Sequence, residues 1–466
     1  MIYVLFFALI IMACIAYVIG NRNILSPWVI ACCMFLVSTV FAMLNINKWQ
    51  FTLDPITVMV ILGALVSLGA GETLVSWLFQ RRELKPHVVH ARAGAVKSPL
   101  QPQRRPIVVP ALAIVALLAV MCVLLLYYYR ETYAFSLAGG NPGGTKLMLK
   151  YAREAQLSRA VTPGRLYGHV GILSKAICYV FLYIFIYNLI SFGFRLRWLM
   201  YLLPSLMYLP FAILSTGRTE FIYLTVGVMT IGCFLYLQRE KWSFRCTLRI
   251  LLLAVEALAI FFLVFILSGL LTGKTSLDTA FNSISLYTGM SIPSLDYWIF
   301  HPQPDTPYIG NHTLFPIYST LRTLGFDLPR LYAPYEFVNF NGESGNVYTA
   351  IRRYMEDFTV VGMAFMFAFL GAFYSYLLNI LRRRSEPGFL LIVYAVFSYP
   401  IFELSIEERF FMNVFATASV YLLAYLSILY YIFVYHPHRM EEKSPHLQSY
   451  RRCQRIRRRR FNKQVS

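Results

Sequence analysis

Residues 107–129 read IVVPALAIVALLAVMCVLLLYYY, a stretch without a single charged side chain. A helix needs about 20 mostly apolar residues to cross the hydrocarbon core of a bilayer. Soluble proteins rarely carry an apolar run of this length, because their helices keep one polar face. The stretch therefore predicts a transmembrane helix, and the chain around it repeats the same pattern.

The whole chain is expected to be an all-α polytopic integral membrane protein with about eleven transmembrane helices. Hydrophobic residues make up 58% of its 466 residues and charged residues only 14%, against about a quarter charged in soluble domains. The first predicted span lacks a preceding positive residue and a small-residue cleavage site, so we expect it to be retained. The predicted spans are 2–19, 24–44, 56–79, 107–129, 170–192, 198–215, 220–237, 248–271, 358–381, 387–403 and 411–434.

The distribution of basic residues predicts the orientation of the spans. The tail after position 435 and five of the connecting segments hold 26 of the 42 Lys and Arg residues and only five of the 22 acids. Short cytoplasmic loops are enriched in Lys and Arg, so the N-terminus is expected outside and the C-terminus in the cytoplasm of a bacterial inner membrane. The membrane domain is expected to cover 1–435, followed by a basic cytoplasmic tail over 436–466.

The predicted topology accounts for the net charge of +20. Because the charge needs no other explanation, we expect no nucleic-acid partner. The tail, which includes the run Arg457, Arg458, Arg459 and Arg460, is expected to contact anionic lipid headgroups, which attract basic juxtamembrane segments.

Two outer loops, about 130–169 and 272–357, are too long to be simple connections. The longer one is rich in aromatic residues and proline. Aromatic faces with polar rims suit sugar rings, although Tyr and Trp also form belts at the membrane surface. The shorter loop has an excess of basic residues, among them Arg159 and Arg165, and a possible interfacial helix over 145–160. Its basic residues indicate an anionic ligand or lipid phosphates.

Three clusters of arginine and carboxylate residues are predicted where spans meet the outer surface. Each could be a structural salt-bridge set, but ionisable groups at membrane depth are costly and often face cavities. Glu72, inside the third predicted span, either relays protons or pairs with a neighbouring helix. The clusters comprise Arg218 with Glu220, then Arg352 and Arg353 with Glu356 and Asp357, and Glu403, Glu407 and Glu408 with Arg409.

These features together resemble the oligosaccharide repeat-unit polymerases of the Wzy family, which build O-antigen, capsule and exopolysaccharide in bacteria. The resemblance rests on many spans, one dominant late outer loop, and the segments Thr216-Gly217-Arg218-Thr219 and Asn346-x-Tyr348-Thr349. Where the family pattern leads us to expect Asp-Phe-Gly at the entrance of the ninth span, this chain has Asp357-Phe358-Thr359, and the glycine follows at Gly362.

The resemblance implies a GT-C-like membrane glycosyltransferase that joins undecaprenyl-pyrophosphate-linked donor and acceptor oligosaccharides on the outer leaflet. The growing glycan would pass to the non-reducing end of a new lipid-linked repeat, without cofactor or metal. A chain-length regulator and a flippase are possible partners.

The chemistry of the reaction indicates which residues could serve it. A departing pyrophosphate needs fixed positive charge, which arginine supplies through its planar, permanently protonated guanidinium group. A carboxylate could act as general base in an inverting single displacement. The candidate catalytic residues are Arg218, Glu220, Arg352, Arg353, Asp357 and Arg409, and the candidate substrate-binding residues are Arg159, Arg165, Asn346 and Tyr348.

Two other functions remain open at this point. An O-antigen ligase would use the same kind of donor and deliver the glycan to a different acceptor. A flippase or secondary transporter of lipid-linked oligosaccharide would be expected to show internal repeats, whereas here eight predicted spans precede the long loop and three follow it.

Overall fold

The computed structural model describes residues 1–20, 22–84, 105–145, 147–158, 160–217, 219–240, 242, 249, 277–302, 308–329, 331 and 336–436. All of the predicted eighth span except Arg249 and all of the predicted tail except His436 lie outside these residues, and so do Arg159 and Arg218. Within the described ranges the chain is almost entirely helical.

The helices, numbered in chain order, are these: α1 Ile2–Ile19, α2 Pro27–Leu44, α3 Ile46–Trp49, α4 Pro55–Leu84, α5 Ala111–Ala138, α6 Met148–Leu157, α7 Arg165–Phe192, α8 Leu199–Leu206, α9 Tyr208–Leu214, α10 Thr219–Arg239, α11 Leu277–Gly289, α12 Ser291–Phe300, α13 Phe315–Thr323, α14 Ala350–Arg383, α15 Gly388–Val396, α16 Tyr399–Glu403 and α17 Thr417–Tyr430. A 3₁₀ turn precedes α8 at Leu196–Trp198, and π-helical turns occupy Phe410–Val414 and Tyr431–Tyr435. Strands β1 Val338–Phe340 and β2 Glu343–Gly345 pair as an antiparallel hairpin.

Nine of the described helical segments are long and apolar enough to cross a membrane. They match the first seven predicted spans, the ninth and the eleventh, so the chain is an all-α, multi-pass membrane protein. Their outer faces carry large apolar side chains, such as Leu112 and Leu126, which are 80% and 70% exposed. Lipid tails are the environment that stabilises such surfaces.

Two predicted spans are interrupted. The sixth consists of α8 and α9, with Pro204 inside α8, where proline removes a helix hydrogen bond. The tenth consists of the short helices α15 and α16. Between them the Tyr374 hydroxyl donates to the Phe397 carbonyl at 2.7 Å, so a neighbouring helix satisfies the backbone group that the break releases.

The helix that contains the ninth predicted span begins before that span. Helix α14 begins at Ala350, eight residues before the predicted position 358, and changes direction at Thr359, where φ is 62° and ψ is −176°. A threonine with positive φ is a conformational outlier. The extra segment brings Arg352 and Arg353, placed at the end of the outer loop by the sequence, onto the first turn of a buried helix.

Helices α4 and α14 cross with their backbones in close contact. A Cβ atom at Gly71 would overlap the carbonyl oxygen of Ala368, and one at Gly371 would overlap that of Leu68. Small residues at a membrane helix interface allow this approach of two backbones. Directly after Gly71, the Glu72 carboxylate accepts a hydrogen bond from the Trp28 amide at 2.8 Å, so Glu72 pairs with the start of α2.

Candidate functional site

A cavity of about 430 Å³ lies among α5, α7, α9, α10 and α17, within the range of about 300–1,000 Å³ usual for small-molecule sites. Its lining combines polar, charged and tyrosine side chains with glycine, alanine and aliphatic residues. The lining residues are Tyr128, Tyr167, Gly168, Gly171, Ile172, Lys175, Tyr208, Phe211, Ser215, Thr219, Glu220, Tyr223, Val396, Phe397, Tyr399, Arg409, Asn413, Ala416, Ala418, Ser419 and Leu422.

An ion pair within the membrane helices marks the polar part of the cavity. The Lys175 ammonium group lies 2.9 Å from the Glu220 carboxylate, and the two side chains are 15% and 26% exposed. Glu220 also accepts a hydrogen bond of 2.7 Å from the Tyr208 hydroxyl. Because Glu220 lies in the first turn of α10, the positive end of the helix dipole further favours its charged form.

Stacked tyrosine rings form two walls. Tyr128 and Tyr167 stack with their ring centroids 4.0 Å apart, and Tyr223 and Tyr399 stack at 3.8 Å. The Lys175 ammonium group also lies 5.1 Å from the centre of the Tyr223 ring, which is within the range of a cation–π contact. These rings offer flat apolar faces next to hydroxyl groups.

Arg409 enters the cavity from the loop after α16. Its Nη2 lies 2.6 Å from Glu407, and its Nε lies 3.5 Å from Glu403, although Nε makes no hydrogen bond. Burial lowers the pKa of Arg409, but the two carboxylates more than offset this and hold it above its ordinary value. Arg409 therefore presents a permanent positive charge with one unsatisfied donor.

A second cluster stands apart from the cavity, at the start of α14. Arg352 is fully buried and pairs with Glu336 and with Glu356, the latter at 2.6 Å from its Nε. Arg353 contacts Glu356 at 3.0 Å and lies 3.2 Å from the His312 ring. The arginines thus tie α14 to two segments of the outer loop.

The other candidates at this cluster have defined surroundings. The Asp357 carboxylate accepts hydrogen bonds from the backbone amides of His312 and Thr313, the latter at 2.7 Å. The Tyr348 ring lies 3.8 Å from the Arg352 guanidinium carbon, and burial raises the Tyr348 pKa. Asn346 is half-buried just after β2.

Glu408 connects the second cluster with the Arg409 loop. It is fully buried and accepts hydrogen bonds from the Tyr354 hydroxyl at 3.0 Å and the Phe411 amide at 2.8 Å. Burial raises the pKa of Glu408 to about 7. A backbone hydrogen bond of 2.9 Å from Ala350 to Leu404 holds the same two segments together.

The shorter outer loop contains the predicted interfacial helix, which is α6. Its Arg153 Nη1 approaches the Thr216 carbonyl at 3.5 Å, in the turn between two lining residues, Ser215 and Thr219. Arg165 is exposed at the start of α7.

The structure thus brings together Glu220 and Arg409, two of the predicted catalytic residues, and separates both from Arg352, Arg353 and Asp357. Sequence reasoning missed Lys175, Tyr208 and the tyrosine walls. The available signal was a lysine inside a predicted span, since such residues are rare and often functional.

Comparison of this chain with protein-family models, with curated proteins and with solved structures finds no match.

Proposed function

We propose that this protein is a membrane glycosyltransferase that polymerises lipid-linked oligosaccharide repeat units, with its active site in the cavity around Lys175, Glu220 and Arg409. The observation that carries the proposal is the composition of this cavity. This one cavity offers aromatic faces, hydroxyl and amide groups, a carboxylate and two cations. Few other substrates need this combination, which suits a sugar attached to a phosphate.

The tyrosine pairs are suited to the sugar. Pyranose rings present C–H faces that pack on aromatic rings, and their hydroxyl groups need hydrogen-bond partners once they leave water. Asn413, whose side-chain amide donates to the Tyr223 hydroxyl at 3.3 Å, and Ser419 are such partners among the lining residues.

The cations are suited to the leaving group. An acceptor hydroxyl oxygen attacks the anomeric carbon of the donor, the bond from that carbon to the diphosphate oxygen breaks, and its electron pair leaves with the diphosphate. Arg409 and Lys175 stabilise the charge that develops there. The proton of the acceptor hydroxyl passes to Glu220, and such general-base assistance contributes about 10²–10⁴-fold to the rate. A single displacement of this kind inverts the anomeric centre.

The proposal places the reaction at the outer leaflet of a bacterial inner membrane, with undecaprenyl-pyrophosphate-linked donor and acceptor. The distribution of Lys and Arg supports this orientation. The C-terminal tail, rich in arginine, would lie against anionic lipid on the opposite side.

The test is elongation by the purified full chain reconstituted in vesicles with lipid-linked repeats. We expect products of several repeats from the wild type, and a loss of about 100-fold or more in Glu220→Gln and Arg409→Gln. Glu154→Gln is the matched control, because Glu154 is an exposed carboxylate on α6 that pairs only loosely with Lys150, at 3.9 Å. It should elongate at the wild-type rate.

The alternatives give different results in the same system. Transfer of the glycan to lipid A core without elongation would identify a ligase. Movement of lipid-linked saccharide across the vesicle membrane without new glycosidic bonds would identify a transporter. Either result, or normal elongation by Glu220→Gln, would refute the proposal as stated.

A further inference from the structure

Helix α13, in the longer predicted outer loop, ends in an apolar patch that the described residues leave largely uncovered. Leu324, the residue after the helix, is 71% exposed, and Phe326 is 59% exposed. Leu321, in the last turn, is partly covered. Single exposed apolar residues are common on protein surfaces, but these three lie within one short segment. We call them the apolar tip.

Backbone hydrogen bonds at the end of α13 fold the tip residues together. The Phe326 amide donates to the Leu321 carbonyl at 3.2 Å. The Gly325 amide donates to the Arg322 carbonyl at 3.0 Å. These two bonds define a Schellman motif, which requires a left-handed residue after the helix and commonly places side chains at the positions of Leu321 and Phe326 side by side. Gly325 meets the requirement with a φ of 99°.

A contact with α17 fixes the level of α13 relative to the membrane. The Thr320 and Thr417 hydroxyl oxygens lie 2.9 Å apart, and α13 packs against the π-helical turn Phe410–Val414 just before α17. Thr417 begins a segment of 19 residues, Thr417–Tyr435, that is long and apolar enough to cross a membrane. A helix of this length is about 28 Å long, close to the hydrocarbon thickness of about 30 Å. Thr417, and α13 with it, therefore lies near one surface of the membrane.

The side of α17 that α13 contacts faces lipid. Val420 and Tyr421 follow Thr417 by three and four residues, so all three side chains lie on one face of the helix. Val420 and Tyr421 are both exposed, and exposed apolar and aromatic side chains of a transmembrane segment contact lipid. Helix α13 therefore stands at the lipid-facing side of α17.

The tip extends from this contact beyond the protein. The Leu324 amide donates to the Thr320 carbonyl at 3.1 Å, so Leu324 lies one turn after Thr320 on the same face of α13. That face meets α17 at Thr320 but is exposed at Leu324. The other side of α13 is polar, with Ser319 and Thr323 exposed. This division is typical of helices that lie in a membrane surface.

From these contacts we infer that the apolar tip of α13 inserts into the membrane surface on the side of the predicted outer loop, where lipid acyl chains cover Leu324 and Phe326. Arg322, in the last turn of α13, is next to the tip in the chain and suits a headgroup phosphate, because a long basic side chain keeps its charge in the polar layer. The partner is the bulk phospholipid of the bilayer, so this contact does not depend on the reaction proposed for the cavity.

The inserted tip also braces one edge of the cavity. The turn Phe410–Val414 that α13 contacts carries Asn413, and Thr417 lies between Ala416 and Ala418. Asn413, Ala416 and Ala418 all line the cavity. Anchoring α13 in the bilayer therefore restricts the movement of that edge.

Tryptophan fluorescence of the full chain in phosphatidylcholine vesicles tests the insertion, after subtraction of the emission from the six native tryptophans. We expect the added tryptophan in Phe326→Trp to emit at shorter wavelengths than an exposed tryptophan and to lose emission when the lipid chains are brominated. The loss should be larger for bromine near the headgroup than near the chain end, because an interfacial residue lies only about 5–10 Å deep. Leu324→Trp should give the same result, so a folding defect in one variant does not decide the test.

Ser319→Trp is the matched control, because Ser319 is exposed on the polar side of the same helix. Its added tryptophan should emit like a residue in water and lose little emission to brominated lipid. Hydrogen exchange in vesicles tests the bracing of the cavity edge. The combined replacements Leu324→Gln and Phe326→Gln should speed exchange of the Phe410–Val414 amides, whereas Ser319→Gln should not.

Equal quenching of Phe326→Trp and Ser319→Trp, or water-like emission from both tip variants, would overturn the insertion. Emission at short wavelengths that brominated lipid leaves unchanged would assign the tip to a protein partner or a second copy and would likewise reject lipid. Unchanged exchange in the double variant would refute the bracing. None of these measurements uses a saccharide, so their outcome is separate from that of the elongation assay.

Discussion

Thr359→Gly should stabilise this protein, because Thr359 occupies a backbone conformation that favours glycine. Its φ of 62° and ψ of −176° fall in a region that is essentially restricted to glycine, and a residue with a side chain held there costs about 1–3 kcal/mol. The threonine side chain is exposed, so little packing is lost with it.

The expected gain can be worked out from two opposing effects. Relief of the backbone conformation contributes about 1–3 kcal/mol, and the greater freedom of glycine in the unfolded chain subtracts about 0.5–1 kcal/mol. The net stabilisation is therefore about 0–2.5 kcal/mol, which corresponds to a rise in melting temperature of up to about 2–3 °C for a chain of this size.

Thermal unfolding of the purified protein in detergent measures this shift, with Thr359→Ala as the matched control. Alanine removes the same γ atoms but keeps the Cβ that causes the strain, so it should not raise the melting temperature. A lower melting temperature for Thr359→Gly, or an equal rise for Thr359→Ala, would show that the turn in α14 is not strained at this residue.

Three further perturbations have defined outcomes. Gly71→Leu should prevent the close crossing of α4 and α14 and lower the yield of folded protein by size-exclusion chromatography, whereas Gly63→Leu on the same helix, where a Cβ meets no atom within 4 Å, should not. Arg352→Ala should destabilise the predicted outer loop by about 1.5–3 kcal/mol, because it removes the arginine partner of Glu336 and one of the two arginine partners of Glu356; limited proteolysis reports this as faster cleavage at the loop. In the folded state, burial raises the pKa of Glu408 from 4.5 to about 7. Between these two pH values the folded state binds more protons than the unfolded state. The free energy of unfolding therefore falls as pH rises through about 7. Glu408→Gln should remove this dependence from melting temperatures recorded between pH 5 and 8, and an unchanged profile would contradict the assignment.

Much of the fold could be predicted because spanning a membrane imposes a simple requirement of about 20 apolar residues. The interruptions of the sixth and tenth spans could not be predicted, because they depend on partners that are distant in sequence. The break before Ser398 is stabilised by the Tyr374 hydroxyl from α14. Gly362, the glycine that follows Asp357-Phe358-Thr359 three residues later, fits the turn at Thr359. A Cβ atom at Gly362 would overlap the Cβ atom of Phe358.

The sequence predicted only those residues of the candidate site that are charged and lie at the ends of spans. Glu220 and Arg409 were identified because ionisable groups at the ends of spans are conspicuous, and both line the cavity. Lys175 was missed because it was counted as one polar position within an apolar span, although its position inside the span was the stronger signal. The tyrosine walls could not be predicted, since tyrosine is common throughout this chain and only the helix packing selects which rings meet.

The two arginine-containing clusters illustrate why residue type alone does not decide function. Both place guanidinium groups beside carboxylates, but Arg352 is fully buried between Glu336 and Glu356, so a ligand could reach it only by unfolding the loop around it. Arg409 is 26% exposed and lines a cavity, while each of the two arginines keeps one buried donor without a hydrogen bond. A charge that is already desolvated and paired gains nothing more from a phosphate, whereas a partly exposed one exchanges water for the ligand. We therefore infer that the cluster at α14 holds the predicted outer loop in place, and we propose that the cavity is where an anion is recognised.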